Sequence, residues 1–246
     1  MTAPARVVAV SPHLDDAVFS VGGILALLGV VTDVVVLTCF TGSVATADAT
    51  PFALSTQLDK GLSPDVDYMA LRREEDRRAL AVLGVPGRHL GLLEAPHRGY
   101  GSPAELFAGR HPDDAVGEEL AAVLAPLLDG ADLVLAPQAL GDHVDHQWVT
   151  EVVADLVPAE RRAWWRDTPY VLRRPDATPL PQVTGDELAV DVAPVLAAKV
   201  EAVCCYATQV PFQFGSAAAA GPALRALADA EGRRRGIDRP AEVVRT

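Results

Sequence analysis

Short apolar runs bounded by turn residues alternate along this chain with longer segments of helical periodicity. Uninterrupted runs of this length are typical of strands that are buried on both faces of a parallel sheet. In the first helical segment, apolar residues recur at the i, i+3 and i+4 spacing from Val18 to Leu28. The predicted strands are 5–10, 32–38, 88–92, 132–136, 169–173 and 187–191.

The predicted helices lie between these strands and after the last of them. They occupy residues 16–29, 67–83, 113–129, 143–157, 193–208 and 217–231. Strands that alternate with helices favour an α/β fold in which a mostly parallel sheet carries helices on both faces. No internal repeat or long linker interrupts the pattern, so we predict a single Rossmann-like domain over residues 1–246.

Two polar motifs follow two of the predicted strands. Ser11–Asp16 follows the first strand, and His143–His146 comes after the strand at 132–136. In an open α/β sheet, ligands bind beyond the carboxyl ends of the strands, so the two motifs are expected to converge there. A catalytic zinc typically keeps three ligands drawn from His, Asp or Glu and one open position for water. His13, Asp16 and His146 can supply that set.

Residues beside these ligands offer acid–base chemistry. Asp15 must point away from the ligand next to it and is well placed to take a proton from a metal-bound water. A metal lowers the pKa of such a water to about 7, so a nearby carboxylate suffices as the base. His143 lies one helical turn before His146, and Asp145 is available to orient and charge its ring. A cationic imidazole there could stabilise an oxyanion and protonate a leaving amine.

Each motif alone has an ordinary structural explanation. Adjacent aspartates at the start of a helix commonly serve as an N-cap with favourable dipole placement, and an isolated His-x-x-His pair is a weak signal. Three of the six histidines and three aspartates nevertheless fall within these two motifs. Capping does not explain that concentration, so a metal-hydrolase site is the favoured interpretation.

The motifs resemble those of the PIG-L or LmbE-like family, the N-acetylglucosaminyl-phosphatidylinositol deacetylase-like hydrolases. Pro12–Asp16 is similar to the family's His-x-Asp-Asp segment, and His143–His146 to its His-x-Asp-His segment. The similarity extends over nearly the whole chain. It includes Arg72–Glu75 with Leu83 and Gly84, Leu90–Glu94, the segment from Lys199 through Tyr206 to Gln209, and Ala241–Arg245.

The resemblance implies a role for each motif residue. It makes His13, Asp16 and His146 the zinc ligands, Asp15 the general base, and His143 an oxyanion-side histidine paired with Asp145. Three positions depart from the family pattern: Leu14 stands for a frequent Pro, Ala17 for a common acidic residue, and Gly141 for a Tyr that helps to hold the oxyanion in some relatives. The departures leave the metal set intact and indicate a substrate pocket unlike that of the thiol-biosynthesis members.

Two long irregular stretches, 39–66 and 93–112, follow predicted strand ends. Long loops in a compact domain are usually functional, so both are expected to ring the metal as active-site loops. His97 and His111 in the second loop are alternative extra ligands, although a lone loop histidine is more often exposed.

Arg72, Glu94 and Arg98 are the predicted substrate-binding residues. The resemblance supports Arg72 and Glu94, whose position usually holds an Asp in the family, whereas Arg98 is a cation of the second irregular stretch. An ordinary alternative is that Arg72 and Glu75 form a surface i, i+3 pair.

Composition narrows the remaining classes. The chain is 50% hydrophobic, enough to bury a substantial core, and its net charge of −12 disfavours nucleic acid and anionic membranes as partners. It has no apolar run of about 18 residues and no signal-peptide pattern at its start, so a cytoplasmic protein without a membrane span is expected. Cys39, Cys204 and Cys205 lack metal-ligand spacing, which favours reduced, buried thiols. Only Lys60 and Lys199 are lysines among 21 basic residues, which suggests a GC-rich bacterial genome.

Three functions follow as hypotheses. The first is a zinc-dependent amidase that removes an N-acyl group, most often acetyl, from an amino sugar, glycoconjugate or related small metabolite. Fe²⁺ is an alternative metal, a non-sugar secondary metabolite is an alternative substrate, and self-association into a homo-oligomer stays open. The second, a nucleotide-binding oxidoreductase or methyltransferase, is disfavoured because the first strand leads into His-Leu-Asp-Asp and not Gly-x-Gly. The third is a catalytically inactive binding protein, against which the complete set of ligand, base and acid residues argues.

Overall fold

The computed structural model describes residues 4–246. Residues 1–3 belong to the start of the chain, where no signal peptide is predicted, and they lie outside the described residues. The strands are β1 Arg6–Ser11, β2 Asp33–Phe40, β3 Gly87–Leu92, β4 Leu133–Pro137, β5 Arg162–Trp165, β6 Glu187–Asp191 and β7 Ala241–Arg245. The helices are α1 Asp16–Gly29, α2 Pro51–Leu58, α3 Tyr68–Leu83, α4 Val116–Leu128, α5 Val144–Leu156, α6 Tyr170–Arg173, α7 Leu196–Cys204, α8 Val210–Phe214 and α9 Ala217–Arg234.

These strands join one sheet in the order β3-β2-β1-β4-β5-β7-β6. The neighbours from β3 to β5 run parallel, whereas β7 pairs antiparallel with both β5 and β6. The predicted single α/β domain with a mostly parallel sheet is therefore confirmed. The chain moves outward from β1 to β3 and then returns to add β4 on the other side of β1. This reversal creates a topological switch point between β1 and β4, where ligands bind in such sheets.

Helices cover both faces of the sheet, as the alternation along β1 shows. Val7 and Ala9 point into a core that β1 shares with α1, α3, α7 and α9. Val8 and Val10 point into a second core, which includes α4 and α5. Burial of apolar surface contributes about 25 cal/mol per Å², so the two cores hold the carboxyl ends of β1 and β4 at fixed positions.

The predicted strand at 169–173 is wrong, because Tyr170–Arg173 forms helix α6. Its aromatic and β-branched residues favour a strand. However, the segment directly follows β5, and a second strand parallel to β5 would need a long crossover connection first. The segment closes a helical turn instead, in which the Arg174 N–H donates to the carbonyl of Tyr170.

The apolar pattern does not predict β5, β7, α2 or α8. β5 has four residues and β7 carries the buried Glu242, so neither shows clear alternation. α2 lies inside the predicted irregular stretch 39–66. Its start is encoded locally, because Thr50 accepts the Ala53 N–H as an N-cap and Pro51 occupies the first turn.

The three cysteines are free, as predicted, but only Cys39 is buried. Cys204, the last residue of α7, is exposed, and Cys205, which follows the helix, is half-buried, so the prediction of buried thiols is wrong for Cys204. No helix within residues 4–246 combines the length and apolar character that crossing a bilayer requires.

Candidate active site

Both polar motifs lie at the switch point between β1 and β4. His13 belongs to the turn from β1 into α1, and His143 immediately precedes α5, after β4. Because β1 and β4 are parallel neighbours, their carboxyl ends bring the motifs together. The ring centroids of His13 and His146 are 5.4 Å apart, so the convergence predicted from the sequence is present.

Three side-chain atoms from the two motifs meet at one point. Asp16 Oδ2 lies 3.1 Å from His13 Nδ1 and 3.2 Å from His146 Nε2. Two atoms bound to a tetrahedral zinc at about 2.0–2.1 Å are about 3.3 Å apart, so this spacing suits a shared metal. His146 Nε2 is buried and its contact with Asp16 does not form a hydrogen bond, which suits a lone pair that faces a cation. The donor set therefore fits a divalent metal.

The other ring nitrogens of the two histidines bond to carboxylates. His146 Nδ1 is 2.7 Å from Asp167 Oδ1, and His13 Nε2 is 2.8 Å from Asp145 Oδ2. Carboxylates behind metal-ligating histidines orient the rings and raise their basicity. Asp167 also accepts two backbone N–H groups from the segment after β4, so its own position is fixed.

Asp145 does not orient His143, which corrects the expectation from the sequence. Its carboxylate contacts His13, the Ala95 N–H at 3.2 Å and Arg98 Nη2 at 2.7 Å. His143 acts as the N-cap of α5, because its Nδ1 accepts the Asp145 N–H at 3.2 Å. This bond requires the tautomer that carries its proton on Nε2. Burial and the nearby His13 charge lower the pKa of His143 to about 3, so the ring is a neutral N–H donor and not the predicted cation.

Carboxylates control the charge at the convergence point. Burial opposes a positive charge on His13 and His146, but Asp16, together with Asp145 or Asp167, outweighs it. The pKa of His13 rises to about 9 and that of His146 to about 10. The same contacts lower the pKa of Asp16 well below its usual range despite its burial. The carboxylates thus stabilise two positive charges on the histidine rings, which equal the charge of one divalent cation. A metal that binds to both rings must displace their two protons.

Asp15 lies beside this cluster without belonging to it. Its side chain makes no capping hydrogen bond to α1, so the ordinary N-cap explanation does not hold for it. Burial and the adjacent Asp16 raise its pKa to about 7, although Arg72 Nη2 lies 3.7 Å from its carboxylate and opposes the rise. A carboxylate with a pKa near neutrality can both accept and return a proton.

One cavity is lined by five residues of the two motifs, His13, Asp15, Asp16, His143 and Asp145, and continues to a polar end. That end is lined by Lys60, Tyr68, Arg72, Glu94, Gln209 and Gln213. Arg72 joins the two ends, because its guanidinium lies 3.7 Å from Asp15 and 3.3 Å from Glu94. The surface pair with Glu75 does not form: Arg72 is only 6% exposed, and Glu75 accepts hydrogen bonds from Thr208. Arg72 and Glu94 therefore lie in the cavity wall.

Arg98 lies behind the site and not in the cavity wall, which corrects its predicted substrate contact. Its guanidinium bridges Asp145 at 2.7 Å and Asp114 at 3.0 Å. Tyr100 and Trp148 also donate to Asp114. Arg98 therefore holds Asp145 against His13, as a positioning residue.

The two loop histidines are not brought to the metal cluster. Within residues 4–246, both groups of side chains that could hold a metal include His13, and neither includes His97 or His111. His111 stacks on Tyr100 with ring centroids 4.1 Å apart.

Sequence reasoning misses two residues of the site, Asp167 and Tyr170. Both follow β5, which the apolar pattern does not predict. Tyr170 lines the cavity, and its ring meets the His146 ring edge to face at 5.4 Å. The available signal was the polar run Arg166–Thr168 directly after Trp164 and Trp165, because a polar run after a buried strand marks another strand end at the same edge.

A convergent metal set with a proton acceptor on one side and an N–H donor on the other is the arrangement of a metal-dependent hydrolase. Residues 8–157 match the family model PIG-L, GlcNAc-PI de-N-acetylase, and the chain belongs to that family. The resemblance noted in the sequence is thereby confirmed.

Three relatives at 29–33% identity are named as deacetylases. The chain is 33% identical over 214 residues to the 2'-N-acetylparomamine deacetylase of Streptomyces fradiae. This match covers 83% of this chain and 73% of that enzyme. It is 33% identical over 166 residues to the 1D-myo-inositol 2-acetamido-2-deoxy-alpha-D-glucopyranoside deacetylase of Corynebacterium glutamicum (strain R). This match covers 65% of this chain and 55% of that enzyme. The crystal structure of the zinc-inhibited form of teicoplanin deacetylase Orf2 superposes on this chain with a TM-score of 0.82 at 29% identity. The superposition covers 98% of this chain and 97% of that chain. The predicted class, an amide hydrolase that acts as an N-deacetylase, is confirmed.

Proposed function

We propose that this enzyme removes the N-acetyl group from an amino sugar within a small natural product or glycoconjugate, with zinc as its metal. The observation that carries the proposal is the meeting of His13, Asp16 and His146 beside Asp15 in a cavity with a polar far end. Amide hydrolysis needs a Lewis acid and a proton acceptor at one point. Relatives named for acetylparomamine, an acetamido-glucopyranoside and teicoplanin support the amino-sugar class.

Zinc is the metal that we assign to the donor set. Two imidazoles and one carboxylate with an open position are usual for a catalytic zinc, and Fe²⁺, which imidazole also suits, is the alternative. In this proposal His13, Asp16 and His146 hold the ion, and Asp145 and Asp167 orient the two rings. When bound, zinc supplies Lewis-acid polarisation of the acyl oxygen and acidifies water.

We assign the proton transfers to Asp15. Its carboxylate takes a proton from the water that attacks the acyl carbon, and returns it to the amide nitrogen as the C–N bond breaks, leaving acetate and a free amine. Arg72 lies 3.7 Å from the carboxylate and limits the rise in its pKa. His143 donates its Nε2–H to the oxygen that becomes negative.

The polar end of the cavity suits the remainder of the sugar. Lys60, Glu94, Gln209 and Gln213 offer donors and acceptors for hydroxyl groups. We propose that the loops 39–66 and 93–112, which contribute Lys60 and Glu94, shape this pocket as parts of one deacetylase domain over residues 1–246.

We further propose that the enzyme is bacterial and cytoplasmic. Its named relatives come from Streptomyces and Corynebacterium. Its cysteines are free thiols, as expected in a reducing compartment. Its net charge of −12 is unsuited to nucleic acid or to anionic membrane surfaces.

Acetate release tests the proposed activity. Zinc-loaded protein would be incubated with 2'-N-acetylparomamine, N-acetylglucosaminyl inositol and an N-acetylglucosamine-bearing glycopeptide, with an N-acetylated aryl amine as the non-sugar comparison. We expect release from at least one sugar substrate, much faster than from the aryl amide, and loss of this release in Asp15→Asn at unchanged zinc content. Hydrolysis of the aryl amide alone, or of no compound in the panel, would contradict the proposal.

A further inference from the structure

One of the four tyrosines of the chain has an unused hydroxyl. The hydroxyls of Tyr68, Tyr100 and Tyr206 each form a hydrogen bond with a protein side chain. The Tyr170 hydroxyl has no such partner within residues 4–246, although Tyr170 lines the catalytic cavity. Tyr170 is half-buried in the wall of this cavity, so its hydroxyl can donate a hydrogen bond to a ligand there.

Tyr170 can occupy its position because residue 141 is a glycine. A Cβ at Gly141 would lie 2.5 Å from Cδ1 and 2.8 Å from Cγ of Tyr170, far inside van der Waals contact. Gly141 also has a φ of 100°, which side-chain-bearing residues rarely adopt. An ion pair of 3.0 Å between Asp142 and Arg174 joins the same two segments. The turn before the second motif and helix α6 therefore fit each other closely.

The Tyr170 ring lies at the metal end of the cavity. It meets the His146 ring edge to face at 5.4 Å and the Phe107 ring at 6.1 Å. Phe107 in turn contacts the His143 ring at 5.3 Å. Tyr170 and His143 thus belong to one aromatic cluster beside the point where the proposed ligands converge, and Asp15 lines the same cavity.

We propose that Tyr170 is a further catalytic residue, whose hydroxyl donates a hydrogen bond to the substrate's acyl oxygen as that oxygen becomes negative. It acts alongside the Nε2–H of His143, and Gly141 provides the space for its ring. The inference rests on the proposed deacetylation, because only an acyl substrate brings such an oxygen to this point. The oxygen gains its charge in the transition state, so the hydroxyl contributes to turnover more than to substrate binding.

Tyr170→Phe tests the hydroxyl alone, since the ring and its contacts with Gly141 and His146 are retained. With the sugar substrate that wild type hydrolyses, we expect kcat to fall about 10²-fold while KM changes less than about twofold and zinc content stays the same. Tyr206→Phe is the matched control, because it removes a buried tyrosine hydroxyl outside the cavity. It should lower the melting temperature and leave kcat unchanged.

Two activity outcomes would overturn the inference while the proposed function stands: a Tyr170→Phe enzyme with kcat within about threefold of wild type, well short of an oxyanion-donor effect, or a raised KM at unchanged kcat. A wild type that hydrolyses none of the sugars overturns the proposed function first. A stability cycle needs no substrate: Gly141→Ala should lower the melting temperature, and adding Tyr170→Ala should recover part of the loss. Full additivity of the two changes would show that the contact does not exist.

Discussion

The neighbours of Asp15 shift its pKa in opposite directions, and together they determine the pH range in which it can accept a proton. Burial and Asp16 raise its pKa to about 7, whereas Arg72 and His13 lower it. A bound divalent cation acts in the same direction as Arg72, so the pKa in the zinc-loaded enzyme is expected below 7. A base acts only in its deprotonated form. Activity should therefore fall as the pH drops through this value.

Replacing Asp15 by Asn should remove most turnover, and the remaining activity should no longer show this fall at acidic pH. We expect kcat to fall roughly 10²–10⁴-fold, with zinc content unchanged because Asp15 is not a proposed ligand. The measurements are kcat/KM between about pH 4 and 8 and metal analysis of both proteins. Asp16→Asn is the matched control at the adjacent position and should lose the zinc. Normal turnover in Asp15→Asn would assign the base to another group, with Glu94 next in the cavity wall.

The motif residues could be predicted because they follow two strand ends at short spacing, but their partners could not. The Asp145 carboxylate bonds to the His13 ring and not to the His143 ring because of the way in which β1 and β4 lie side by side, and no local pattern encodes that. Asp167 and Tyr170 enter the site from the segment after β5. Their roles depend on a strand that is too short to show periodicity.

At the scale of elements, helix α1 is interrupted beneath the site. Val21 has φ −128° and ψ 23°, which leaves the helical region. Glu242 of β7 accepts the N–H groups of Gly23 and Ile24 at 3.0 and 2.8 Å. Lys199 of α7 donates to Glu242 at 2.6 Å and to a carbonyl of α1 at 3.3 Å. One buried ion pair thereby joins α1, α7 and β7.

Glu242→Ala should therefore destabilise the fold strongly. It leaves the Lys199 ammonium buried without its carboxylate, which typically costs about 3–5 kcal/mol in the free energy of unfolding. Lys199→Met should cost less, because the Glu242 carboxylate keeps two backbone N–H donors. Glu74→Gln, which breaks exposed ion pairs on α3, is the control and should cause no measurable change. Denaturant unfolding measures all three, and an equal loss in Glu74→Gln and Glu242→Ala would contradict the argument.

The long elements could be predicted because each carries its own apolar periodicity over enough residues. The short ones take their structure from neighbours: β7 needs β6 and β5 as partners, and α6 forms where no strand can pair. The resemblance to the family includes both Lys199 and Ala241–Arg245. However, no sequence pattern near either segment predicts that the two are in contact. Their pairing becomes visible only when α7 and β7 meet at the interruption of α1.

At the scale of the whole molecule, the proposed ligands come from segments that are far apart in the chain. His13 and Asp16 follow β1, whereas His146 lies in α5, so the three atoms converge only when β1 and β4 are paired. A metal held by all three binds the folded chain and not the unfolded one. Its binding free energy therefore adds to the stability of the fold.

Zinc should raise the melting temperature of the wild type. At a free concentration about 100 times its Kd, the gain is about 2.7 kcal/mol, or roughly 5–10 °C for a domain of this size. His13 and His146 must each lose a proton to act as ligands, so the gain should grow from about pH 6 to about pH 8. Thermal unfolding across a zinc titration measures both effects. Asp15→Asn should keep the full gain, Asp167→Asn should need roughly 10–100-fold more zinc, and His13→Ala/His146→Ala should show none. An equal gain in that double variant would mean that zinc binds elsewhere on the folded chain.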